Sequence, residues 1–225
     1  MRAMILAAGL GKRLRPLTEH LPKALVEVGG KPLIEHHIEK LAAAGIRELV
    51  INLSWLGEQI ERRLGDGARF GVAIQWSREP EPLETGGGIR RALPWLGERP
   101  FAVISADVWS DYPYQALPPD LPDPVSAHLV LVANPGHHPA GDYRLESDAR
   151  VRPAVAGAPS LTFGGIAVIA PELVAGFPEA TAFPLRDALA AAIAGRRVTG
   201  ALHTGRWSDV GTPERLAALR AALEG

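Results

Sequence analysis

The chain opens with a short apolar segment that runs directly into a glycine-rich, basic turn. This segment is residues 2–7, which are apolar after Arg2, and Gly9 and Gly11 follow it. A short apolar run that is closed by glycine is typical of a buried strand. Glycines at such a point let backbone N–H groups approach phosphate oxygens, because no Cβ intervenes. The opening therefore predicts an anion site at the end of a first buried strand.

Two common nucleotide-binding motifs do not match this turn. A Walker A loop would need glycine five positions before Gly11 and Ser or Thr after Lys12, where the chain has Leu6 and Arg13. A dinucleotide fingerprint would need a third small residue where Leu14 stands. Two interpretations remain at this point: an anion site of another kind, or a tight turn with solvated basic side chains.

The remainder of the first half alternates strands and helices with short connections. Strands are predicted at 48–53, 72–76 and 101–104, and helices at 33–44, 58–64 and from the Gly86 region to Leu96. This alternation predicts an α/β three-layer sandwich with a mainly parallel, Rossmann-like sheet.

The second half has a different pattern. Predicted strands at 127–133, 143–145 and 161–169 follow one another without long helices, which indicates a smaller antiparallel region. A helix at 185–194 and a strand at 198–203 come next. A closing helix is predicted to begin at Pro213, after Thr212 as its N-cap.

Charge and composition exclude several classes of protein. The 24 basic and 25 acidic side chains give a net charge of −1, which argues against a general nucleic-acid-binding surface. The absence of cysteine excludes disulfides, thiolate catalysis and cysteine-based zinc sites. No apolar run approaches the roughly 18 residues of a membrane span, and the start lacks the layout of a secretory signal. The chain is therefore predicted to be cytoplasmic.

A second glycine run lies at Gly86–Gly88, after Glu84 and Thr85. Three glycines ahead of a predicted helix would expose backbone amides to a flat nucleobase. An ordinary flexible loop is the alternative interpretation of this segment.

Two aspartates far apart in the chain follow predicted strands. Asp107 comes after an apolar strand, and Asp209 lies in the segment Trp207–Thr212. Open α/β sheets place ligands at the carboxyl ends of their strands. Two carboxylates, with phosphate oxygens and waters, suffice for Mg²⁺. Either residue alone would be read as a cap or a turn, but together with the basic turn they predict a magnesium site.

The run from Leu6 to Leu17, with Pro22-Lys23, resembles the opening motif of the sugar-1-phosphate nucleotidyltransferases. The resemblance implies that Arg15 and Lys23 offset charge around the α-phosphate, and that Asp107 and Asp209 hold Mg²⁺. Arg15, Lys23 and Asp107 are thus the predicted catalytic residues. The predicted nucleotide contacts are Gly9, Gly11, Lys12, Arg13, Lys23, Thr85, Gly86, Gly87 and Ser105. One departure is Ser105-Ala106, where the family usually has Asn and Gly before the metal aspartate.

The resemblance covers nearly the whole chain and implies one domain, 1–225. Residues 1–110 would bind the nucleotide, and residues 111–225 would bind the sugar and supply the closing helix. Sugar contacts are expected from Asn134, Gly141 and Asp142, and His137-His138 are read as polar or loop residues rather than metal ligands.

Among family members, the order of motifs is most similar to small enzymes of peptidoglycan recycling that use UTP and N-acetylmuramate 1-phosphate. The predicted partners are therefore a nucleoside triphosphate and a sugar 1-phosphate, with no nucleic acid and no membrane, and the chain is expected to be a monomer. Two alternatives stay open: a guanylyl- or thymidylyltransferase acting on heptose, mannose or glucose 1-phosphate, and a catalytically silent nucleotide-sugar sensor.

Overall fold

A computed structural model of the chain describes residues 1–224, with thirteen strands and six α-helices in that range. The strands are β1 (Ala3–Leu6), β2 (Glu27–Val28), β3 (Lys31–Pro32), β4 (Glu48–Leu53), β5 (Ala73–Arg78), β6 (Phe101–Ser105), β7 (Val108–Ser110), β8 (Ala127–Val132), β9 (Tyr143–Leu145), β10 (Val151–Pro153), β11 (Thr162–Ile169), β12 (Val198–His203) and β13 (Trp207–Asp209). The helices are α1 (Leu33–Ala43), α2 (Gly57–Leu64), α3 (Glu84–Leu96), α4 (Glu172–Ala175), α5 (Leu185–Ala194) and α6 (Pro213–Glu224). Within residues 1–224, no helix is long and apolar enough to cross a membrane.

Seven strands form one central sheet in the order β12-β8-β11-β6-β1-β4-β5. Its neighbours are parallel, except that β11 runs antiparallel to both β6 and β8. The predicted α/β class with a mainly parallel sheet is confirmed. Of the strands of the second half, β8, β11 and β12 extend this sheet, and β9 and β10 form a smaller antiparallel pair. Strand β11 is buried along most of its length, as a central strand must be when both faces are covered. Small antiparallel pairs are β2–β3, β7–β13 and β9–β10.

Helices cover both faces of the sheet, which gives the three predicted layers. Successive residues of β1 point to opposite faces, so Met4 and Ile5 belong to different cores. Ile5 packs in the core that contains residues of α1 and α2. Met4 packs in the core that contains residues of α3, α4 and α5.

The closing helix α6 packs away from the central sheet, beside the β2–β3 hairpin. Leu216 and Leu219 of α6 share a small buried cluster with Val28 and Leu14. The predicted start of α6 is confirmed, since Thr212 Oγ1 accepts a hydrogen bond from the Arg215 N–H at 3.4 Å. The C-terminal helix is thereby packed against the residues that follow the first glycines.

Helix α3 begins at Glu84, so the prediction that Gly86–Gly88 form a loop ahead of a helix was wrong. A Cβ added to Gly86 would lie 2.3 Å from the Phe183 ring, and one added to Gly87 would lie 2.4 Å from the Thr181 carbonyl oxygen. Tertiary packing therefore overrides the low helix propensity of glycine, because only glycine lets the segment 181–183 lie directly on the helix backbone.

A buried histidine connects α1 to β7. His37 is 2% exposed; its Nε2 donates to the Val108 carbonyl (2.8 Å), and its Nδ1 accepts from the Tyr114 hydroxyl (2.7 Å). Burial lowers the pKa of His37 to about 4, which keeps the ring neutral at pH 7. The neutral ring therefore connects α1 by a hydrogen bond to β7, the strand that follows Asp107.

We expect the free energy of unfolding to fall as the pH is lowered from about 6.5 towards about 4. The unfolded chain takes up a proton at His37 below its ordinary pKa of 6.5, whereas the folded chain resists protonation down to about 4. The difference corresponds to roughly 3 kcal/mol. Urea unfolding at pH 7.5 and 5.0 measures about 2 kcal/mol of this difference, because the loss continues down to about pH 4. His37→Asn should reduce the loss, and an equal loss in wild type and variant would contradict the assignment.

Candidate active site

A first cavity of about 410 Å³ opens at the carboxyl ends of β1, β4 and β6. Its walls contain the glycine turn (residues 7–11), the end of β6 and the start of α3. The predicted residues that line it are Gly9, Gly11, Lys12, Arg13, Lys23, Thr85, Ser105 and Asp107. Most of the predicted nucleotide contacts are thus brought together at one edge of the sheet, where parallel α/β sheets place ligands.

The glycine turn is held in shape by a buried threonine. Gly11 has a φ of +60°, and a Cβ there would lie 2.8 Å from Thr18 Cγ2. The Thr18 hydroxyl donates to the Gly11 carbonyl at 2.7 Å. A Cβ added to Gly9, in contrast, would meet no atom within 4 Å. Gly11 therefore serves the backbone conformation, and Gly9 keeps the cavity open.

We expect Gly9→Ala to fold normally and to bind a nucleoside triphosphate at least roughly tenfold more weakly, because the new methyl group would occupy space needed by phosphate oxygens. Calorimetric titration and thermal melting measure the two effects. Gly176→Ala is a matched control, since a Cβ there also meets no atom within 4 Å and lies outside both cavities described here. Equal nucleotide affinity in both variants would show that Gly9 does not face the ligand.

The cations of the turn are not equivalent. Lys12, Arg13 and Lys23 line the first cavity, and Arg13 also lines the second cavity described below. Arg15 is exposed and lines neither cavity. The structure thus places Arg15 outside the cavities that hold the other predicted residues, whereas Arg13 lies at both. The catalytic role of Arg15 stays a prediction, and Arg13 is a second candidate for that role.

The start of α3 contributes side chains to the cavity, but the glycines behind them do not face it. Glu84 and Thr85 line the cavity. The N–H groups of Gly86 and Gly87 donate to the Phe183 carbonyl, at 2.8 and 3.1 Å, and neither glycine lines the cavity. The structure therefore does not bring Gly86 and Gly87 to the cavity, and their N–H groups, which the prediction assigned to the base, are both used within the fold.

Strand pairing brings the two predicted metal ligands together. In the antiparallel pair β7–β13, Val108 lies opposite Asp209, and the Val210 N–H donates to the Asp107 carbonyl at 2.8 Å. The carboxylates of Asp107 and Asp209 both line a second cavity of about 400 Å³, next to the first. Each is held by a cation, since Lys23 Nζ lies 2.5 Å from Asp107 Oδ2 and Arg215 Nη1 lies 2.5 Å from Asp209 Oδ2.

The donor set fits a hard divalent cation. Asp209 Oδ1 is buried and has no hydrogen-bond partner in the described part of the chain. His137 Nε2 lies 3.1 Å from it, but that nitrogen accepts from Arg215 Nη1 at 2.6 Å and cannot donate at the same time. No group of three or more acidic or histidine side chains suited to a metal occurs within residues 1–224. An ion here would complete its coordination with ligand oxygens and water, as Mg²⁺ does.

Of the predicted sugar contacts, Asp142 alone lines the second cavity. Its carboxylate accepts from the Phe163 N–H (2.8 Å) and lies 3.0 Å from His138 Nε2. Gly141 and Asn134 instead pack against each other, since a Cβ on Gly141 would lie 2.5 Å from Asn134 Oδ1. Both therefore shape the loop behind the cavity.

Sequence reasoning missed several residues of the second cavity: Thr162, Phe163, Trp207 and Arg215. Arg215 had a signal, because it lies in the first turn of a helix whose N-cap was recognised, six residues after Asp209. A residue at that position points back over the strand end that precedes the helix.

A family model described as nucleotidyl transferase matches residues 2–143. The chain is also 49% identical, over 96% of its length and 95% of the relative, to an N-acetylmuramate alpha-1-phosphate uridylyltransferase of Neisseria meningitidis serogroup B. The chain belongs to the nucleotidyl transferase family. A Caulobacter vibrioides enzyme of the same name is 37% identical over 98% of this nucleotidyltransferase and 96% of that relative.

Another curated relative matches over less of the chain, and two solved structures match its fold at low sequence identity. The mannose-1-phosphate guanyltransferase of Hypocrea jecorina is 42% identical over 52% of the chain and 33% of that enzyme. The fold is similar to that of HddC from Yersinia pseudotuberculosis, solved with GMP-PN, at a TM-score of 0.77, 20% identity and 98% coverage of both chains. A proposed glucose-1-phosphate thymidylyltransferase of Bacillus anthracis gives a TM-score of 0.85 at 21% identity, over 99% of this chain and 95% of that one.

Proposed function

We propose that this nucleotidyltransferase joins UTP to N-acetylmuramate 1-phosphate and releases pyrophosphate, with Mg²⁺ held by Asp107 and Asp209. The observation that carries the proposal is the meeting of the glycine turn, Arg13 and the two carboxylates at adjoining cavities. The triphosphate would lie in the first cavity and the sugar phosphate in the second. Arg13, which lines both, stands where the two substrates would meet.

The reaction is a displacement at the α-phosphorus. An oxygen of the sugar 1-phosphate, which is already ionised near neutral pH, forms the new P–O bond, and the bond to the β-phosphate oxygen breaks with its electron pair leaving on pyrophosphate. No general base is required. Arg13 and Lys23 would hold phosphate oxygens in line and offset their charge. A bound Mg²⁺ would supply further charge neutralisation at the phosphates.

The choice of substrates rests on two observations. The relatives that match over nearly the full chain are uridylyltransferases for N-acetylmuramate 1-phosphate, whereas the guanyltransferase matches over about half. The second cavity also contains four side chains that can donate to anions, Arg13, His137, His138 and Arg215, beside the carboxylates of Asp107, Asp142 and Asp209. We propose that these donors bind the carboxylate and the phosphate of N-acetylmuramate 1-phosphate, while Asp107 and Asp209 hold the metal.

We propose a cytoplasmic enzyme, since the chain has no cysteine, and we propose that it acts as a monomer. This setting would place the product in peptidoglycan recycling, as the family resemblance implies.

A matrix of UTP, GTP and dTTP against N-acetylmuramate, N-acetylglucosamine, mannose and glucose 1-phosphates tests the substrates. Pyrophosphate release is measured with Mg²⁺ and with EDTA.

We expect the highest kcat/KM for UTP with N-acetylmuramate 1-phosphate, and release that stops with EDTA. A preference for GTP with mannose 1-phosphate would favour the guanylyltransferase alternative. Nucleotide binding without pyrophosphate release from any pair would favour a sensor.

A further inference from the structure

A buried chain of hydrogen bonds connects the two ends of the first cavity. Asn52, at the end of β4, accepts from the Ala7 N–H of the glycine turn at 2.8 Å. Its side-chain amide donates to Glu79 Oε1 at 2.8 Å. The other oxygen, Glu79 Oε2, accepts from the Leu83 N–H at 2.9 Å, directly before α3. Two side chains therefore connect the glycine turn, at one end of the cavity, to the start of α3, at the other end.

Both side chains are withdrawn from solvent, since Asn52 is 2% exposed and Glu79 is 4% exposed. The last residue of the second glycine run makes room for them: a Cβ on Gly88 would lie 2.6 Å from Glu79 Oε1 and 2.7 Å from Asn52 Nδ2. Burial raises the pKa of Glu79, while the hydrogen bonds from Leu83 and Asn52 act in the opposite direction. A buried carboxyl with a defined donor at each oxygen has little freedom to move.

We propose that Asn52 and Glu79 are positioning residues that fix the separation of the glycine turn from the start of α3, and so set the affinity for the nucleoside triphosphate. The inference rests on the proposed function, because it assumes that one nucleotide spans both ends of the cavity. The sugar phosphate in the second cavity does not depend on this separation.

The donor and acceptor of each hydrogen bond between Ala7 and Leu83 are defined, and this suggests a sharp test. In Glu79→Gln, the new side-chain amide has one acceptor oxygen, whereas the Asn52 amide and the Leu83 N–H each need an acceptor. In either orientation of the new amide, one of these two donors therefore faces its NH₂ group and loses its hydrogen bond. In Asn52→Asp, two carboxylates face each other. The double variant Asn52→Asp/Glu79→Gln restores every bond with the polarity of the central one reversed. All three variants are close in size to the native pair, so they alter hydrogen bonding with little change in volume.

We expect each single variant to raise the Kd and KM for UTP at least roughly tenfold, with the KM for sugar 1-phosphate changed less than about twofold. The double variant should return the UTP values to within about threefold of wild type. Isothermal titration with UTP, steady-state kinetics and thermal melting give the three readouts. Gln75→Glu, exposed on β5 next to β4, controls for an added negative charge near Asn52.

Three outcomes would overturn the inference. The singles could bind UTP as wild type does, or they could lose activity towards both substrates in proportion to a loss of folded protein. The affinity of the double variant for UTP could also stay low although its melting temperature returns to that of wild type. This result would mean that the native groups contact the nucleotide directly. A wild-type protein that does not use UTP at all would instead refute the proposed function, so the two failures are distinct.

Discussion

Replacing Asp107 with asparagine is expected to lower turnover by about 10³-fold or more while leaving the fold intact. The carboxylate lies where the two cavities meet and is paired with Lys23 at 2.5 Å. Asparagine keeps the shape but removes the negative charge that a divalent cation needs. Lys23 would then also lack its partner and would be free to bind a phosphate in an unproductive position.

The measurement is pyrophosphate release over a Mg²⁺ titration, together with thermal melting of both proteins. Asp187→Asn is a suitable control, because Asp187 is exposed on α5 and lines neither cavity. A variant at Asp107 that retained more than a tenth of wild-type turnover would remove this carboxylate from the proposed metal site.

A second large effect is expected from a pair of arginines two residues apart. Arg13→Gln should reduce kcat by roughly 10²- to 10³-fold, because it removes a cation that both cavities share. Arg15→Gln should change kcat by less than about threefold, since a solvated surface charge contributes little. The two substitutions are chemically identical and neighbouring, so each serves as the control for the other.

Single-turnover and steady-state kinetics with UTP and N-acetylmuramate 1-phosphate would separate the two arginines. The reverse result, with Arg15 essential and Arg13 dispensable, would mean that the turn changes conformation when the nucleotide binds. It would also restore the role that the family resemblance first implied for Arg15.

Strong periodicity made much of the fold predictable. The predicted limits of β4, α5 and β12 coincide with those of the structure, because each is a clear apolar pattern with a glycine, proline or charged boundary. The start of α3 was not predictable in this way. Glycines favour loops in isolation, and the segment that packs on them, 181–183, lies about 95 residues further along the chain.

The candidate site was likewise predictable only in part. Types of residue and their position after strands were sufficient to expect that Asp107 and Asp209 would meet, and strand pairing places both beside the same cavity. Side-chain direction within a turn is not encoded in spacing, so the sequence could not show that Arg13 lines both cavities and Arg15 lines neither. Residues contributed by tertiary packing, such as Thr162 and Phe163, carry no local motif that indicates a ligand cavity.

The β7–β13 pair also implies an order of assembly. All seven strands of the central sheet are available once β12 has been made, yet Asp209 and the helix that packs behind the glycine turn follow β12 in the chain. Contacts this distant in sequence close late, since they require a large loop to be ordered first. A growing chain that has reached the end of β12 would thus hold a nearly finished scaffold that is chemically inert, and competence for catalysis would arrive only with β13 and α6.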